Sequence, residues 1–182
     1  AACWQFATHF AGMWAAAAPG AGFSETPEFL RSFQKETLDP TWYERKLWHW
    51  YDATDYALNL FNCPTVAYSG AVDRQKQAAD IMARYMEREG LSLTHLVGPD
   101  TAHSYHPQTK RELEDRIDAL ARIGRDPLPR KIRFTTHTLR YHRMHWITLT
   151  GLQEHWQKAR IVAEMENDSI VRIQTQNVSA FR

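Results

Sequence analysis

Two short apolar segments on either side of an amphipathic helix place the strongest constraint on how this chain can fold. Residues 64–70 and residues 91–97 are each typical of a buried strand that ends at a glycine. Between them, small and apolar residues recur at helical spacing over 79–86, and Gly90 follows as a helix end. A strand–helix–strand order of this length implies a parallel pair with a right-handed crossover. The pattern therefore predicts an α/β fold with a mostly parallel sheet.

Further signals extend this α/β pattern on both sides. Small and aromatic residues over 1–10 predict a buried helix. The alanine-rich run 13–18, closed by Pro19 and Gly20, predicts a buried strand, with a helix as the alternative because alanine is a weak strand former. Three more helices are predicted from their capping residues and prolines, with starts at Thr26-Pro27, Asp39-Pro40 and Thr109.

The last third of the chain has a different composition. A short, stiff segment at 124–129 precedes a region in which apolar and polar residues alternate, and Asn167-Asp168 predicts a β-hairpin there. Net charge changes as well, from −4 over residues 1–100 to +5 over residues 101–182. We therefore expect two units: an α/β unit over 1–124, and an incomplete, antiparallel β-rich module over 129–182.

Composition excludes several classes of protein. A hydrophobic share of 43% and an aromatic share of 12% can build a core, which excludes general disorder. The longest apolar run, 11–18, is too short to span a membrane. A formal net charge of +1 gives no overall reason to expect nucleic acid as a partner. Cys3 and Cys63 match neither a disulfide framework nor a metal-ligand spacing.

Titratable residues follow both strands of the predicted parallel pair. Asp73 comes directly after the first strand, and His103 lies in the loop after the second. Ligands of open α/β sheets bind at the carboxyl edge of the strands, where these two loops meet. A carboxylate there can orient a histidine and stabilise its charged form. The order of acid before histidine matches serine hydrolases of the α/β type.

At these residues the chain resembles the prolyl oligopeptidase-like branch of the α/β-hydrolases. Residues 64–73 resemble the strand, turn and acid of that branch, and residues 98–105 resemble its histidine loop, although Ala102 replaces the usual glycine. Residues 1–22 resemble the helix and strand that follow the nucleophile elbow. The resemblance implies that residues 1–124 are the C-terminal part of a catalytic domain. It also implies a serine peptidase or esterase that needs no cofactor, with Asp73 and His103 as two members of its triad.

The third member of that triad, the nucleophile, is not found in the chain. No Gly-x-Ser-x-Gly occurs; Ser24 is better explained as a loop or capping residue, and Ser69 lies where the family has only turn residues. The chain opens on Ala1 without an initiator Met or a signal-peptide layout, and it closes within an apparent strand. We expect both ends to be cut, the serine to precede Ala1, and this fragment alone to be inactive.

The assignments to Asp73 and His103 have alternatives. Asp73 stands where an N-cap aspartate would stand, a role that does not exclude catalysis. His106 is the alternate catalytic histidine, and His95, within a strand, is expected to be a packed core or surface histidine. No metal site is expected among His137, His142 and His145, because neighbouring arginines would repel a cation. The basic residues of this region are expected to form a solvated face or salt bridges to the acidic unit.

Other functions remain open. The chain could be a non-catalytic binding or structural module derived from an α/β-hydrolase, or a carbohydrate esterase on the same fold. A third possibility is that residues 129–182 bind glycan or protein through exposed aromatic side chains. The aromatic stripe over 42–51 is more typical of a core than of a substrate pocket. Substrate, oligomeric state and compartment, including a secreted or periplasmic one, are left undetermined.

Overall fold

The computed structural model describes residues 2–182; Ala1, at which the predicted first helix and catalytic domain begin, lies outside the described residues. Five α-helices are found in this range: α1 (Ala2–His9), α2 (Thr26–Phe29), α3 (Trp42–Tyr51), α4 (Gln77–Arg88) and α5 (Pro107–Ile123). Tighter or wider helical turns cover Ala11–Met13, Leu30–Gln34, Ala53–Asn62, Arg74–Lys76 and Leu139–Tyr141. The strands are β1 (Val66–Gly70), β2 (Thr94–Gly98), β3 (Lys131–Thr136), β4 (Arg143–Met144), β5 (Ile147–Leu152), β6 (Ala159–Asn167), β7 (Ile170–Gln176) and β8 (Val178–Phe181).

The predicted parallel strand pair is confirmed. β1 and β2 run parallel, in a register that places Val66 beside Thr94 and Gly70 beside Gly98. The amphipathic helix α4 connects them and buries its apolar side, which includes Met82. The chain therefore belongs to the α/β class, with a small parallel sheet and separate antiparallel sheets.

The predicted strand over 13–18 forms only in part. Two isolated parallel bridges, Ala17 to Thr65 and Gly20 to Tyr68, hold this segment against the free side of β1. The bridging hydrogen bonds include Tyr68 N–H to the carbonyl oxygen of Pro19, at 2.9 Å. Pro19 has no N–H to donate, which limits a regular ladder here. The segment nevertheless lies as a third parallel element beside β1.

The antiparallel character of the last third is confirmed as well. Strands β3, β6 and β7 form one sheet, and β4, β5 and β8 form another. β6 and β7 are the hairpin predicted from Asn167-Asp168, and the turn lies between Asn167 and Ile170. The ladder shifts register between Met165 and Asn167, next to that turn.

Two predicted helix starts were displaced by a few residues. α5 begins at Pro107 rather than after Thr109, because the His106 side chain is its N-cap and accepts the Thr109 N–H at 3.4 Å. α3 follows Thr41, whose side chain and that of Glu44 form the capping box. In both cases a residue next to a proline supplies the cap, which the position of the proline alone did not specify.

Residues from both predicted units share one hydrophobic core. The buried cluster contains Trp4 of α1, Met82 of α4 and Phe134 of β3, and it reaches Val178 of β8. The division at 124–129 stays a prediction, but the residues on its two sides pack against each other. Within residues 2–182, no helix is long and apolar enough to cross a membrane.

Asp52, at the C-terminal end of α3, should make the stability of the fold depend on pH. Its side chain is buried and accepts the Thr26 N–H at 3.0 Å, yet burial raises its pKa to about 7 from 3.8. Between those two values the unfolded chain has lost this proton while the folded chain keeps it. The free energy of unfolding therefore falls as pH rises through this window, by at most about 4 kcal/mol.

Asp52→Asn should remove this dependence, because an amide keeps the acceptor oxygen and carries no charge. We expect the variant to gain stability relative to the wild type as the pH is raised from 5 to 8, measured by urea unfolding at each pH. Asp118→Asn, on the solvent side of α5, is the matched control and should show no such trend. A difference between Asp52→Asn and wild type that is independent of pH would contradict the expectation.

Candidate active site

Asp73 lies just past the carboxyl end of β1 and has two different partners. Its Oδ1 accepts the N–H of Gln75 at 2.8 Å, which caps the short helical turn Arg74–Lys76. Its Oδ2 lies 2.9 Å from Nδ1 of His103. Asp73 is therefore an N-cap, as the alternative interpretation expected. Its second carboxylate oxygen remains available to His103.

His103 is the more exposed residue of this pair. Its side chain is 66% exposed, whereas that of Asp73 is 5% exposed. A buried carboxylate is held in place by its surroundings, so it fixes the orientation of the imidazole ring. With Nδ1 directed at Asp73, Nε2 is the nitrogen left to accept a proton.

Two glycines allow the histidine loop to approach β1 this closely. A Cβ on Gly70 would overlap the carbonyl oxygens of Thr101 and Ala102, and one on Gly98 would overlap the Tyr68 hydroxyl. Backbone hydrogen bonds connect the loop after β1 to the end of β2; one of them runs from the Ala71 N–H to the Gly98 carbonyl oxygen, at 2.8 Å. The glycines that end both strands therefore set the distance between the acid loop and the histidine loop.

The Tyr68 hydroxyl fixes the rest of that loop. It donates to the carbonyl oxygen of Ser104 at 3.0 Å and accepts the N–H of His106 at 2.7 Å. His106 directs its own Nδ1 towards Thr109 as the cap of α5. The structure thus brings Asp73 together with His103 and gives the alternate histidine, His106, a different set of contacts.

A cavity of about 250 Å³ opens beside the pair. Asp73 and His103 line it together with Gly20, Ala21, Tyr68, Ser104 and Tyr105. Gly20 and Ala21 belong to the segment that runs parallel to β1. The cavity therefore lies at the carboxyl edge of three neighbouring parallel segments, where α/β sheets place their ligands.

A serine, a histidine and an aspartate lie close together elsewhere in the fold. Ser69 Oγ is 3.0 Å from His95 Nε2, and His95 Nδ1 is 3.7 Å from Asp80. Ser69 is fully buried on β1, so its hydroxyl cannot reach a substrate carbonyl. Burial also lowers the pKa of His95, which weakens it as a base. This group is consistent with the packed histidine expected from the sequence.

His49, Asp55 and His137 form the one cluster with metal-ligating atoms in mutual reach among residues 2–182, within 4.8 Å. The rings of His49 and His137 are stacked, with centroids 4.5 Å apart and planes 9° apart. A metal binds in the plane of an imidazole ring, and two stacked planes do not converge on one ion. The hydrogen bond that His49 Nδ1 donates to Asp55 Oδ2, at 2.7 Å, raises the pKa of His49, while burial lowers the pKa of His137 to about 4. These opposite shifts favour a protonated His49 ring stacked on a neutral His137 ring.

Sequence reasoning missed both this cluster and the role of Tyr68. His49 and Asp55 lie on either side of the end of α3, so helical spacing does not pair them. Tyr68 meets partners 36 and 38 residues away. In the sequence, a tyrosine within an apolar strand signals only burial, and its hydroxyl contacts depend on where the next loop passes.

Comparison with known proteins does not identify a family. No protein-family model matches the chain. No curated protein and no solved structure is significantly similar to it.

Proposed function

We propose that this chain supplies the acid and the base of a serine-hydrolase triad. The observation that carries the proposal is the 2.9 Å contact between Asp73 Oδ2 and His103 Nδ1 at the ends of adjacent parallel strands. The bridged segment near Gly20, β1 and β2 supply three parallel elements in the order that an α/β-hydrolase sheet would use. The resemblance of residues 64–73 and 98–105 to the prolyl oligopeptidase-like branch agrees with this assignment.

The mechanism follows from which nitrogen of His103 is left unbonded. A serine in residues preceding Ala1 would attack the acyl carbonyl carbon, and His103 Nε2 would take the hydroxyl proton. The same proton then passes to the leaving amine or alcohol as the acyl–nitrogen or acyl–oxygen bond breaks. Asp73 keeps its charge throughout and stabilises the imidazolium. A water molecule, deprotonated by His103, releases the acyl group and restores the serine.

The substrate class rests on the resemblance alone. It favours peptide bonds, with ester bonds as the next choice, and no residue at the cavity selects between them. The cavity of about 250 Å³ beside His103 can hold only a small part of a peptide. Further substrate contacts would come from residues outside this chain or from a second domain.

A non-catalytic role is the second candidate, and one observation favours it. Among residues 2–182, no serine hydroxyl is hydrogen-bonded to His103. A hydrolase-derived binding or structural module would keep the acid and the histidine as structural partners without a nucleophile.

A fluorophosphonate probe separates these candidates, because it labels only an activated serine. We expect no stoichiometric labelling of residues 1–182, and stoichiometric labelling of the longer protein at a serine before Ala1. Labelling of Ser69 or Ser104 in the 182-residue chain would overturn the assignment of an external nucleophile, with Ser69→Ala and Ser104→Ala locating the site. A longer protein in which that serine is replaced, or is present but unreactive, would favour the binding module.

A further inference from the structure

A second cavity, of about 340 Å³, lies apart from the Asp73–His103 pair. One wall is the end of α1 and the turn after it, from His9 to Met13; the other is the segment from Arg140 to His145 between β3 and β5, with Arg125 at the side. The two cavities share no lining residue. Its size lies within the range of small-molecule sites in proteins.

This cavity has several positive charges and no carboxylate among its described lining residues. Arg125, Arg140 and Arg143 line it, and no carboxylate does so in the described part of the chain. None of the three arginines takes part in an ion pair there. Asp126, the carboxylate next to Arg125 in sequence, instead accepts the Leu128 N–H at 2.9 Å.

Neutral partners hold these three side chains in place. Arg125 Nη1 donates to the carbonyl oxygen of Gly12 at 3.1 Å, and Arg143 Nε donates to that of His145 at 3.3 Å. The Arg140 guanidinium lies over the ring of Trp50, 5.3 Å from its centroid. Such contacts orient a guanidinium and leave its charge and several N–H donors unused. Guanidinium groups in this state bind carboxylate and phosphate oxygens in bidentate fashion.

Two further observations indicate a ligand rather than an empty basic surface. His9 is 2% exposed in the cavity wall, and its Nε2 has no hydrogen-bond partner among residues 2–182. A buried ring nitrogen without a partner is uncommon in folded proteins. Phe10 and Tyr141, which belong to opposite walls, pack edge to face with centroids 5.7 Å apart and give the cavity an aromatic surface.

We propose that this cavity binds a small organic dianion, with its charged group held by Arg125, Arg140 and Arg143 and its apolar part against Phe10 and Tyr141. The charge of three guanidinium groups is better suited to a doubly charged oxyanion than to a singly charged one. The cavity has room for an organic group beside that oxyanion. Phosphate monoesters and dicarboxylates share this chemistry. The proposal does not depend on the hydrolase assignment, because it uses none of the residues around Asp73 and His103.

Isothermal titration of the 182-residue chain with phenyl phosphate and with phthalate, at constant low ionic strength, tests the proposal. We expect saturable 1:1 binding of at least one of these dianions, tighter than the binding of benzoate, which carries one charge on the same ring. The tighter of the two dianions identifies the charged group as a phosphate or a dicarboxylate. Absence of saturable binding by both would overturn the proposal.

Single substitutions locate the binding site. Arg140→Gln and Arg143→Gln should each weaken binding at least tenfold, whereas Arg111→Gln, an exposed arginine on α5, should leave it unchanged. Arg140 and Arg143 are exposed, so these variants should keep the wild-type circular dichroism spectrum and Tm without ligand. Equal binding by all three variants, or equal weakening in all three, would place the anion elsewhere and overturn the proposal.

Discussion

Replacing His103 by alanine, in a protein that includes the proposed serine, is expected to lower kcat/KM by about three to six orders of magnitude. The imidazole is the group that accepts and returns the proton, and no other histidine contacts Asp73 among the described residues. The His103 side chain is largely exposed, so its loss should leave the fold intact. Steady-state hydrolysis of a chromogenic ester or peptide, with thermal unfolding measured in parallel, provides the test.

His106→Ala is the matched control for this experiment. His106 caps α5 through Nδ1, so its loss should reduce stability by about 1 kcal/mol and change activity far less than His103→Ala does. Asp73→Asn should retain the helical cap through its amide oxygen and still lose about four orders of magnitude in kcat, because the imidazolium is no longer stabilised. Near-normal turnover by His103→Ala would dismiss the triad or move the base to His106.

Removing the Asn59 side chain is expected to be among the most destabilising single changes in the fold. The amide is fully buried and donates to the carbonyl oxygens of Thr8 and Thr135, at 2.9 and 3.0 Å. Its Oδ1 also accepts the Thr135 N–H at 2.8 Å. Asn59→Ala leaves three buried backbone groups without partners, and we expect a loss of about 3–5 kcal/mol in the free energy of unfolding. The midpoint of urea unfolding measures it.

A second asparagine provides the comparison. Asn167 lies at the β6–β7 turn, where its Oδ1 accepts the exposed Ser169 N–H at 2.9 Å, so Asn167→Ala should cost less than about 1 kcal/mol. If Asn59→Ala lowers the free energy of unfolding no more than Asn167→Ala does, the Asn59 amide does not stabilise the packing of α1 against β3. The expected difference arises because water can replace the partner of Asn167 and cannot reach those of Asn59.

Much of the Asp73–His103 pair could be predicted because both of its residues follow strands whose ends the sequence marks clearly. Gly70 and Gly98 end the two strands, so Asp73 and His103 had to occupy neighbouring loops at the same edge. The contact itself needed the tertiary structure, since it depends on how closely the loops cross and on the Tyr68 hydroxyl that fixes one of them. The cavity beside Arg140 and Arg143 was visible in the sequence only as a basic cluster.

The amino-acid sequence by itself determined the local elements: the apolar runs of β1 and β2, the amphipathic helix between them, the hairpin at Asn167-Asp168 and the parallel order. These depend on hydrophobic periodicity and turn residues, whose effects extend over a few neighbours along the chain. Only the tertiary structure decided which polar groups meet, such as Asn59 with Thr135 across 76 residues. A buried polar group is stabilised only at hydrogen-bond distance, and that distance is set by the packing of the whole core.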